Sequence, residues 1–290
     1  MKTKKYCLVC GEKKFRLTKK IGENRIYECV SCSLAVTQYG KKTKKSVLYG
    51  KKGMYNLKNY QSEEKRQSKK FKEIASVVKN FVRQGKVLEV GAGYGLFASL
   101  LVKNKYKLNV VEPHLKLIYL NKLKNKVKIS TKTYEQFLRA NKERFDLITF
   151  IDVLEHFKNP EVLFKKTSAI LLDQGLVLIL LPNHRSLMQA LTKNWSWWMT
   201  EDHKYHFSSK SIKQFLINNN FEIKYFATFE NWYDFRKNLD GNFTHIKDRN
   251  RRRMLKGIFF AFFIPLYFAL RKIMWKLGYG GELCVVASKS

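Results

Sequence analysis

The pattern of apolar positions predicts an alternating α/β domain from about residue 81 to the C-terminus. Short apolar runs such as KVLEV, KLNVV and FDLITF are bounded by polar or glycine-rich residues, as buried strands are. Amphipathic stretches with helical spacing lie between these runs, an order typical of α/β folds. Later strands are predicted at 126–130, in the stretch that closes on Pro182, at 221–229 and at 280–289.

The first 80 residues have a different pattern. Residues 1–40 carry paired cysteines, and from Gly40 to about Lys70 the chain is rich in Lys, Gly, Tyr and Gln. That stretch predicts a basic linker that runs into a helix at about 62–81. We therefore divide the chain into a module at 1–40, a linker and leading helix at 41–80, and the larger domain at 81–290.

A long insertion, residues 230–279, separates the last two predicted strands. It contains KDRNRRRMLK and then GIFFAFFIPLYFAL, fourteen residues without a charge at 257–270. That apolar run is too short to cross a membrane comfortably. We favour a lid helix over a substrate pocket. The alternative is peripheral contact with anionic lipid through residues 251–275, since basic residues flank the apolar run.

The chain is strongly basic. Its 290 residues include 57 Lys and Arg against 23 Asp and Glu, a formal net charge of +34, and 45% are hydrophobic. A polyanionic partner such as RNA or a lipid headgroup surface fits this charge, and so does a solvated lysine-rich surface. The N-terminal stretch MKTKKYCLVC has a basic start without an apolar segment, so we expect a cytoplasmic protein, membrane-associated if the insertion binds lipid.

Four of the five cysteines form two CxxC pairs. Cys7 and Cys10 are separated by eighteen residues from Cys29 and Cys32, a spacing typical of two facing zinc knuckles. Four thiolates give a closed tetrahedral site, so the predicted Zn²⁺ is structural. The alternative is four buried free thiols. The module resembles the zinc ribbons that open many bacterial methyltransferases.

A glycine-rich turn follows the first strand of the larger domain. Gly91, Gly93 and Gly95 in EVGAGYG let the backbone turn tightly and approach a ligand closely. Glu89 lies at the end of the strand, where it can interact with a cationic amine. Glu112, at the end of the next strand, can accept hydrogen bonds from both hydroxyls of a ribose.

Two cofactors are compatible with this turn taken alone. Gly93, Gly95 and Ala98 also satisfy the GxGxxA pattern of dinucleotide-binding folds. The segment RFDLITFIDVLEHF, which leads to PN at 182–183, distinguishes the two. Together with ExGxGxG, it resembles class I methyltransferases that use S-adenosylmethionine (SAM). The resemblance implies a Rossmann-like seven-stranded sheet with an antiparallel last strand, in which Asp152 faces the cofactor and Tyr134 and Glu135 border its adenine.

The segment DVLEH also resembles the ExxEH segment of ubiquinone-type O-methyltransferases, which has been associated with a divalent metal. Asp152 stands here where that family has Glu. The resemblance implies a metal site at Asp152, Glu155 and His156. The favoured alternative is that Glu155 and His156 cap and pack the following helix.

The stretch 195–207 resembles a substrate-side segment of sugar C-methyltransferases that carry an N-terminal zinc module. Their Glu-His pair corresponds here to Asp202 and His203, and the resemblance implies that His203 acts as a general base. The alternative is a histidine that orders the loop. The family resemblance also implies that the linker aromatics Tyr49, Tyr55 and Tyr60 face the substrate. The favoured alternative is that they pack on the surface.

These features favour a SAM-dependent methyltransferase that acts on a small molecule, a sugar or a lipid-linked glycan. An RNA methyltransferase with a zinc-ribbon RNA-binding module is the alternative, given the charge. Strand four ends in DVLEH rather than the NPPY-type motif that many nucleic-acid amino methyltransferases use. A non-catalytic nucleic-acid-binding protein is disfavoured by the intact glycine-rich turn and its two flanking glutamates.

Overall fold

The structure is a computed structural model that describes residues 6–41, 57–113, 123 and 126–290. Side chains 57–63 and 65 are outside this description. Tyr49, Tyr55 and the side chain of Tyr60 therefore lie outside the described residues, as does most of the predicted basic linker.

The N-terminal module is a small antiparallel sheet, and the larger domain alternates strands and helices. The module contains β1 (Phe15–Ile21), β2 (Asn24–Cys29) and β3 (Ala35–Gln38). The larger domain contains α1 (Leu57–Phe81), β4 (Lys86–Val90), α2 (Leu96–Lys103), β5 (Lys107–Val111), β6 (Lys128–Ser130), α3 (Tyr134–Ala140), β7 (Phe145–Ile151), α4 (Pro160–Ala169), β8 (Leu171–Pro182), α5 (Leu187–Leu191), β9 (Tyr205–His206), α6 (Ser209–Asn218), β10 (Phe221–Phe229), α7 (Trp232–Gly241), α8 (Arg249–Lys276) and β11 (Glu282–Lys289).

The main sheet has seven strands in the order β10-β11-β8-β7-β4-β5-β6. Strands β4 to β8 pair in parallel, and β11 is antiparallel to both of its neighbours. This confirms the predicted seven-stranded sheet with an antiparallel last strand. Strand order reverses beside β4, so the carboxyl ends of β4, β5 and β7 border a crevice where open α/β sheets bind ligands.

Both faces of the sheet are covered, which explains why its central strands are apolar throughout. On one face, Leu88 and Phe150 belong to an apolar cluster with Phe164 of α4. On the other face, Val87 packs in a second cluster with Phe97 of α2. Helix α1 contributes Ile74 and Val78 to that second cluster, so it belongs to the core of the larger domain.

The N-terminal module is joined to the larger domain through backbone and core. Strand β3 pairs with β9, Ala35 opposite His206 and Val36 opposite Tyr205, which makes a four-stranded sheet. Cys7 and Leu34 lie in the same apolar cluster as the main sheet. The module therefore supports the segment that carries His203.

The insertion forms two helices, α7 and α8. Phe235 of α7 is buried and packs on Tyr267 of α8, with ring centroids 4.0 Å apart. Tyr267 is the one buried residue of the 28-residue α8. Most of the surface of α8 is thus exposed.

Candidate functional site

The glycine-rich turn adopts backbone conformations that require glycine. Gly91, Gly93 and Gly95 have φ angles of 72°, 52° and 78°, in the left-handed region. A Cβ on Gly91 would lie 2.5 Å from a methyl group of Val153. The Gly91 N–H donates to the Val111 carbonyl at 2.8 Å, which ties the turn to the end of β5. The turn after β4 therefore packs closely against the neighbouring strands. A cleft opens above the start of α2.

Two buried glutamates lie below this turn. Glu89 is 3% exposed and Glu112 is 1% exposed. The Gly93 N–H donates to Glu112 Oε2 at 3.0 Å. Glu89 lines the cleft, and its Oε2 is buried without a hydrogen-bond partner among the described residues. Burial, and then the charge of Glu112, raise the pKa of Glu89 well above its ordinary value, so a bound cation would relieve an unfavourable charge.

Asp152, immediately after β7, lines the cleft in a strained conformation. Its φ is 53°, unusual for a residue with a side chain, and its N–H donates to the Leu180 carbonyl at 2.8 Å. Strain of this kind concentrates at functional sites. Its Oδ1 is buried without a partner in the described part of the chain, so this oxygen can accept a hydrogen bond from a ligand.

Sequence reasoning missed a buried lysine that links α1 to the cleft. Lys70 Nζ lies 3.5 Å from Asp152 Oδ2 and 3.0 Å from Glu282 Oε2. Burial alone lowers the pKa of Lys70, but Asp152 and Glu282 outweigh it and the net pKa is raised, so the lysine stays protonated. Burial raises the pKa of Glu282 to about 7, with Lys70 acting in the opposite direction.

Arg66 of α1 lines the cleft and pairs with Asp234 of α7 at 2.7 Å. Gln67 and Phe71 of the same helix also line the cleft. The signal that could have revealed this wall is the 3–4 residue spacing of Gln67, Lys70, Phe71 and Ile74, which places a lysine on the apolar face of α1.

His203 lines the same cleft and belongs to a group of buried side chains. Its ring centroid is 4.8 Å from that of His156 and 6.0 Å from that of His206. Burial foremost, and then the two neighbouring imidazoles, hold the pKa of His203 well below its ordinary value. The ring is therefore neutral at pH 7, the form that can accept a proton.

The resemblance implies a catalytic pair of Asp202 and His203, but in the described residues Asp202 interacts with His156 instead. Its backbone carbonyl accepts a hydrogen bond from His156 Nδ1 at 3.0 Å, and its charge acts on the pKa of His156. The Asp202 side-chain Oδ1 is buried without a partner within the described ranges. Asp202 therefore positions His156, the histidine that packs on His203.

Glu155 lies beside the two histidines. Both of its carboxylate oxygens are buried without a partner among the residues that the structure describes. Ligand atoms of Glu155, His156 and His203 lie within 4.8 Å of one another, so they could hold a divalent cation. Asp152 is not a member of this group. The N-cap of α4 is Asn159, so the predicted capping role of Glu155 and His156 is wrong.

Tyr134 is a further correction. Its hydroxyl is 2.8 Å from Thr167 Oγ1, and the ring stacks between Phe137 and Phe157 in the core. Tyr134 does not line the cleft, and Glu135 is exposed beside it on α3. The predicted adenine contact of Tyr134 is wrong because its side chain packs in the core between α3 and α4, and Glu135 lies outside the cleft lining.

The apolar run of the insertion, residues 257–270, does not line the cleft in this structure. The lining comprises Arg66, Gln67, Phe71, Glu89, Gly91, Ala92, Gly93, Tyr94, Leu96, Phe97, Ile151, Asp152, His156, Trp197, Met199 and His203. None of these belongs to 257–270, so the favoured prediction of a lid helix is wrong for this structure. Trp197 and Met199 form an apolar wall beside His203 instead.

The four N-terminal cysteines converge. The Sγ atoms of Cys7 and Cys32 are 3.5 Å apart, as are those of Cys10 and Cys29, and all four sulfurs lie within 4.8 Å of one another. All four are free thiols rather than disulfides. Four Zn–S bonds of about 2.3 Å in a tetrahedron need sulfurs roughly 3.8 Å apart, so the cluster fits a zinc ion.

Comparison with known proteins identifies the larger domain. A family model described as a methyltransferase domain matches residues 62–225. No curated protein matches the chain.

Among solved structures, a SAM-dependent methyltransferase from Archaeoglobus fulgidus has a TM-score of 0.53 at 15% identity, covering 79% of this chain and 99% of its own. A SAM-dependent methyltransferase from Thermotoga maritima has a TM-score of 0.52 at 16% identity, covering 81% and 96%. The plantazolicin methyltransferase BamL, in complex with a triazolic desmethylPZN analog and SAH, has a TM-score of 0.51 at 15% identity, covering 81% and 92%. At such low sequence identity, the structural similarity shows a shared fold.

Proposed function

We propose a function on the premise that the chain belongs to the methyltransferase-domain family, whose model covers more than half of its length. On that premise it transfers the methyl group of SAM to a small-molecule, sugar or lipid-linked glycan acceptor. The observation that carries the proposal is the buried Oε2 of Glu89, which has no hydrogen-bond partner among the described residues and lies beside a turn that only glycine fits. A carboxylate in that state is complementary to the ammonium group of SAM.

Residues in the cleft and directly beside it divide into those that would hold SAM and those that would face the acceptor. Glu89 would accept hydrogen bonds from the amino group, and Glu112 from the ribose hydroxyls. The turn from Gly91 to Gly95 leaves the backbone room to approach the ligand. When bound, SAM supplies an already activated methyl group, so the protein needs chiefly to align the acceptor.

His203 is proposed as the general base. It lines the same cleft as Glu89, and its ring is neutral at pH 7 because burial lowers its pKa. A neutral imidazole can take the proton that an acceptor hydroxyl or carbon acid loses on methylation. Two contacts position His203 indirectly. The backbone N–H of Lys204, the next residue, donates to the Glu155 carbonyl. His156, whose ring packs on that of His203, hydrogen-bonds the Asp202 carbonyl.

The test is a methyl-transfer screen with labelled SAM against sugar nucleotides, lipid extracts and total RNA. We expect label in a non-nucleic-acid fraction. His203→Ala should lower the rate by about 10²- to 10⁴-fold, the usual contribution of a general base. His245→Ala is the matched control, because His245 is exposed and lies outside the cleft. Full activity of His203→Ala would reject the base.

RNA methylation is the second candidate, and the observation that favours it is the net charge of +34. Transfer of label to RNA, with retention on RNA that falls steeply as salt rises, would support it over the first. Label confined to sugar or lipid fractions would reject it.

We also propose that the four cysteines hold a structural Zn²⁺. The support is the fit of the sulfur separations to a tetrahedral four-thiolate site, together with the burial of three of the four cysteines. A module of about forty residues buries too little surface to fold alone, so the metal would contribute to its folding free energy.

A further inference from the structure

The exposed side of α8 carries a continuous apolar stripe. Its members recur every three or four residues, so they share one face of the helix. They are Met254, Ile258, Phe262, Leu266, Leu270, Ile273 and Leu277, each at least 44% exposed. Phe262 is the most exposed of them, at 79%. At 1.5 Å per residue the stripe is about 35 Å long, far more than the single exposed apolar side chains that soluble proteins commonly show.

The opposite side of α8 packs on the protein. Phe263 and Tyr267 stack on Phe235 of α7, with ring centroids 6.1 Å and 4.0 Å away. Phe259 contacts Phe243, with ring centroids 5.5 Å apart. The helix therefore lies along the surface of the domain, and its apolar stripe faces away from the core.

Charges on α8 are of one sign. Residues 249–276 contain eight Lys and Arg and no Asp or Glu. Four arginines precede the apolar run, and Arg271, Lys272 and Lys276 follow it. Each basic residue near an anionic lipid surface strengthens binding by about fivefold. Apolar residues between two basic clusters are complementary to a membrane interface with anionic headgroups.

We propose that α8 docks this protein on an anionic membrane, with the helix in the plane of the interface and the stripe inserted among the lipids. By length and composition α8 is the one helix of the described residues that could cross a membrane. Its uncharged run of fourteen residues, however, spans only about 21 Å against a hydrocarbon core of about 30 Å. Its inner face is also engaged with α7, which favours docking over crossing.

The docking is independent of the acceptor and of SAM, so its test uses the full-length protein without either. The measurement is co-sedimentation with vesicles of phosphatidylcholine alone and of an equimolar mixture with phosphatidylglycerol. We expect binding to the anionic vesicles that weakens as salt rises, and at least tenfold weaker binding to the neutral ones.

Substitutions of the stripe test insertion. The double variant Phe262→Ser with Leu266→Ser should bind the anionic vesicles at least tenfold more weakly, because two side chains lose their burial in lipid. Val162→Ser with Ile217→Ser is the matched control, since both side chains are apolar and more than half exposed on α4 and α6. That control should bind like the unaltered protein.

Charge reversals test the electrostatic part. Arg253→Glu with Lys272→Glu should weaken binding by about fivefold or more for each charge. Lys132→Glu with Lys166→Glu, which changes exposed lysines elsewhere to the same extent, should weaken it less. Thermal unfolding of each variant confirms that it is folded before its binding is compared.

Four results would overturn the proposal. One is no sedimentation with anionic vesicles, and another is equal loss of binding in the stripe variant and its control. Binding that follows the charges but ignores the stripe would indicate a general polyanion surface, such as one for RNA. A dimer that Phe262→Ser with Leu266→Ser converts to a monomer, without vesicle binding, would show that a second copy covers the stripe.

Discussion

Single residues in the cleft are placed by steric and electrostatic requirements that can be tested separately. Gly91 combines a left-handed backbone with a 2.5 Å approach to Val153. Glu89 and Asp152 each have a buried carboxylate oxygen that no described residue hydrogen-bonds. The type of these residues was predictable from ExGxGxG and DVLEH, because each motif fixes a glycine or a carboxylate at a set position after its strand.

Gly91→Ala tests the steric requirement. We expect it to lower the free energy of unfolding by more than about 1 kcal/mol, since alanine is strained at positive φ and its Cβ meets Val153. Gly257→Ala is the matched control: the position is helical with nothing within 4 Å, so alanine there should stabilise by about 0.5–1 kcal/mol. Urea unfolding measures both, and effects of the same sign would contradict the account.

Lys70→Met tests the buried charge group. It leaves Asp152 and Glu282 without their cation, and removing one partner of a buried ion pair costs about 3–5 kcal/mol. Lys69→Met, which changes the exposed neighbour, should alter the free energy of unfolding by less than about 0.5 kcal/mol. Equal effects of the two substitutions would show that the ion pairs contribute nothing.

At the scale of elements, local pattern predicts what forms, and long-range contact decides what it touches. The strands 221–229 and 282–289 lie where alternation and apolar runs predict them. In contrast, the Lys70–Glu282 pair joins residues 212 positions apart, and β3 pairs with β9 about 170 residues later. No local pattern carries such information, so neither α1 nor the zinc-ribbon candidate could be placed at the cleft from sequence.

The pairing of β3 with β9 joins the cysteine module to the segment that carries His203. The Thr37 hydroxyl donates to the His203 carbonyl at 2.8 Å. We expect Cys29→Ser to lose zinc and to lower both the thermal midpoint and methyl transfer, because β3 would no longer hold the His203 segment. Cys284→Ala should retain a full equivalent of zinc, since Cys284 lies in β11. Zinc content and unfolding measure this, and a zinc-free, fully stable Cys29→Ser would contradict it.

At the scale of the whole molecule, the cleft is assembled from α1, the ends of β4 and β7, and the segment before β9. The fold class and the glycine-rich turn were predictable because the periodicity and spacing are strong. The wall formed by α1, the packing of Tyr134 and the exposure of α8 were not, because each depends on which apolar face meets which neighbour. The net charge of the chain likewise did not identify a partner. The charges of α8 are all positive, and together with its apolar stripe they identify one surface for membrane docking.

The pH dependence of ligand binding follows from the Glu89 carboxyl. Its folded pKa is raised, so Glu89 contributes stability that is fully present below the unfolded value of about 4.5 and is lost as pH rises through the folded value. A bound ammonium favours the charged carboxylate. Binding of SAM should therefore lower the pKa of Glu89 and release protons in the pH range between its lowered pKa in the complex and its raised pKa in the free protein.

Calorimetric titration with SAM tests the central claim most directly. The account predicts measurable affinity with proton release, about 10- to 100-fold weaker binding in Glu89→Gln, which loses a charge-assisted hydrogen bond, and no proton release in that variant. Glu135→Gln, an exposed glutamate on α3, should bind like the unaltered protein. Absence of SAM binding, or unchanged affinity in Glu89→Gln, would contradict the account.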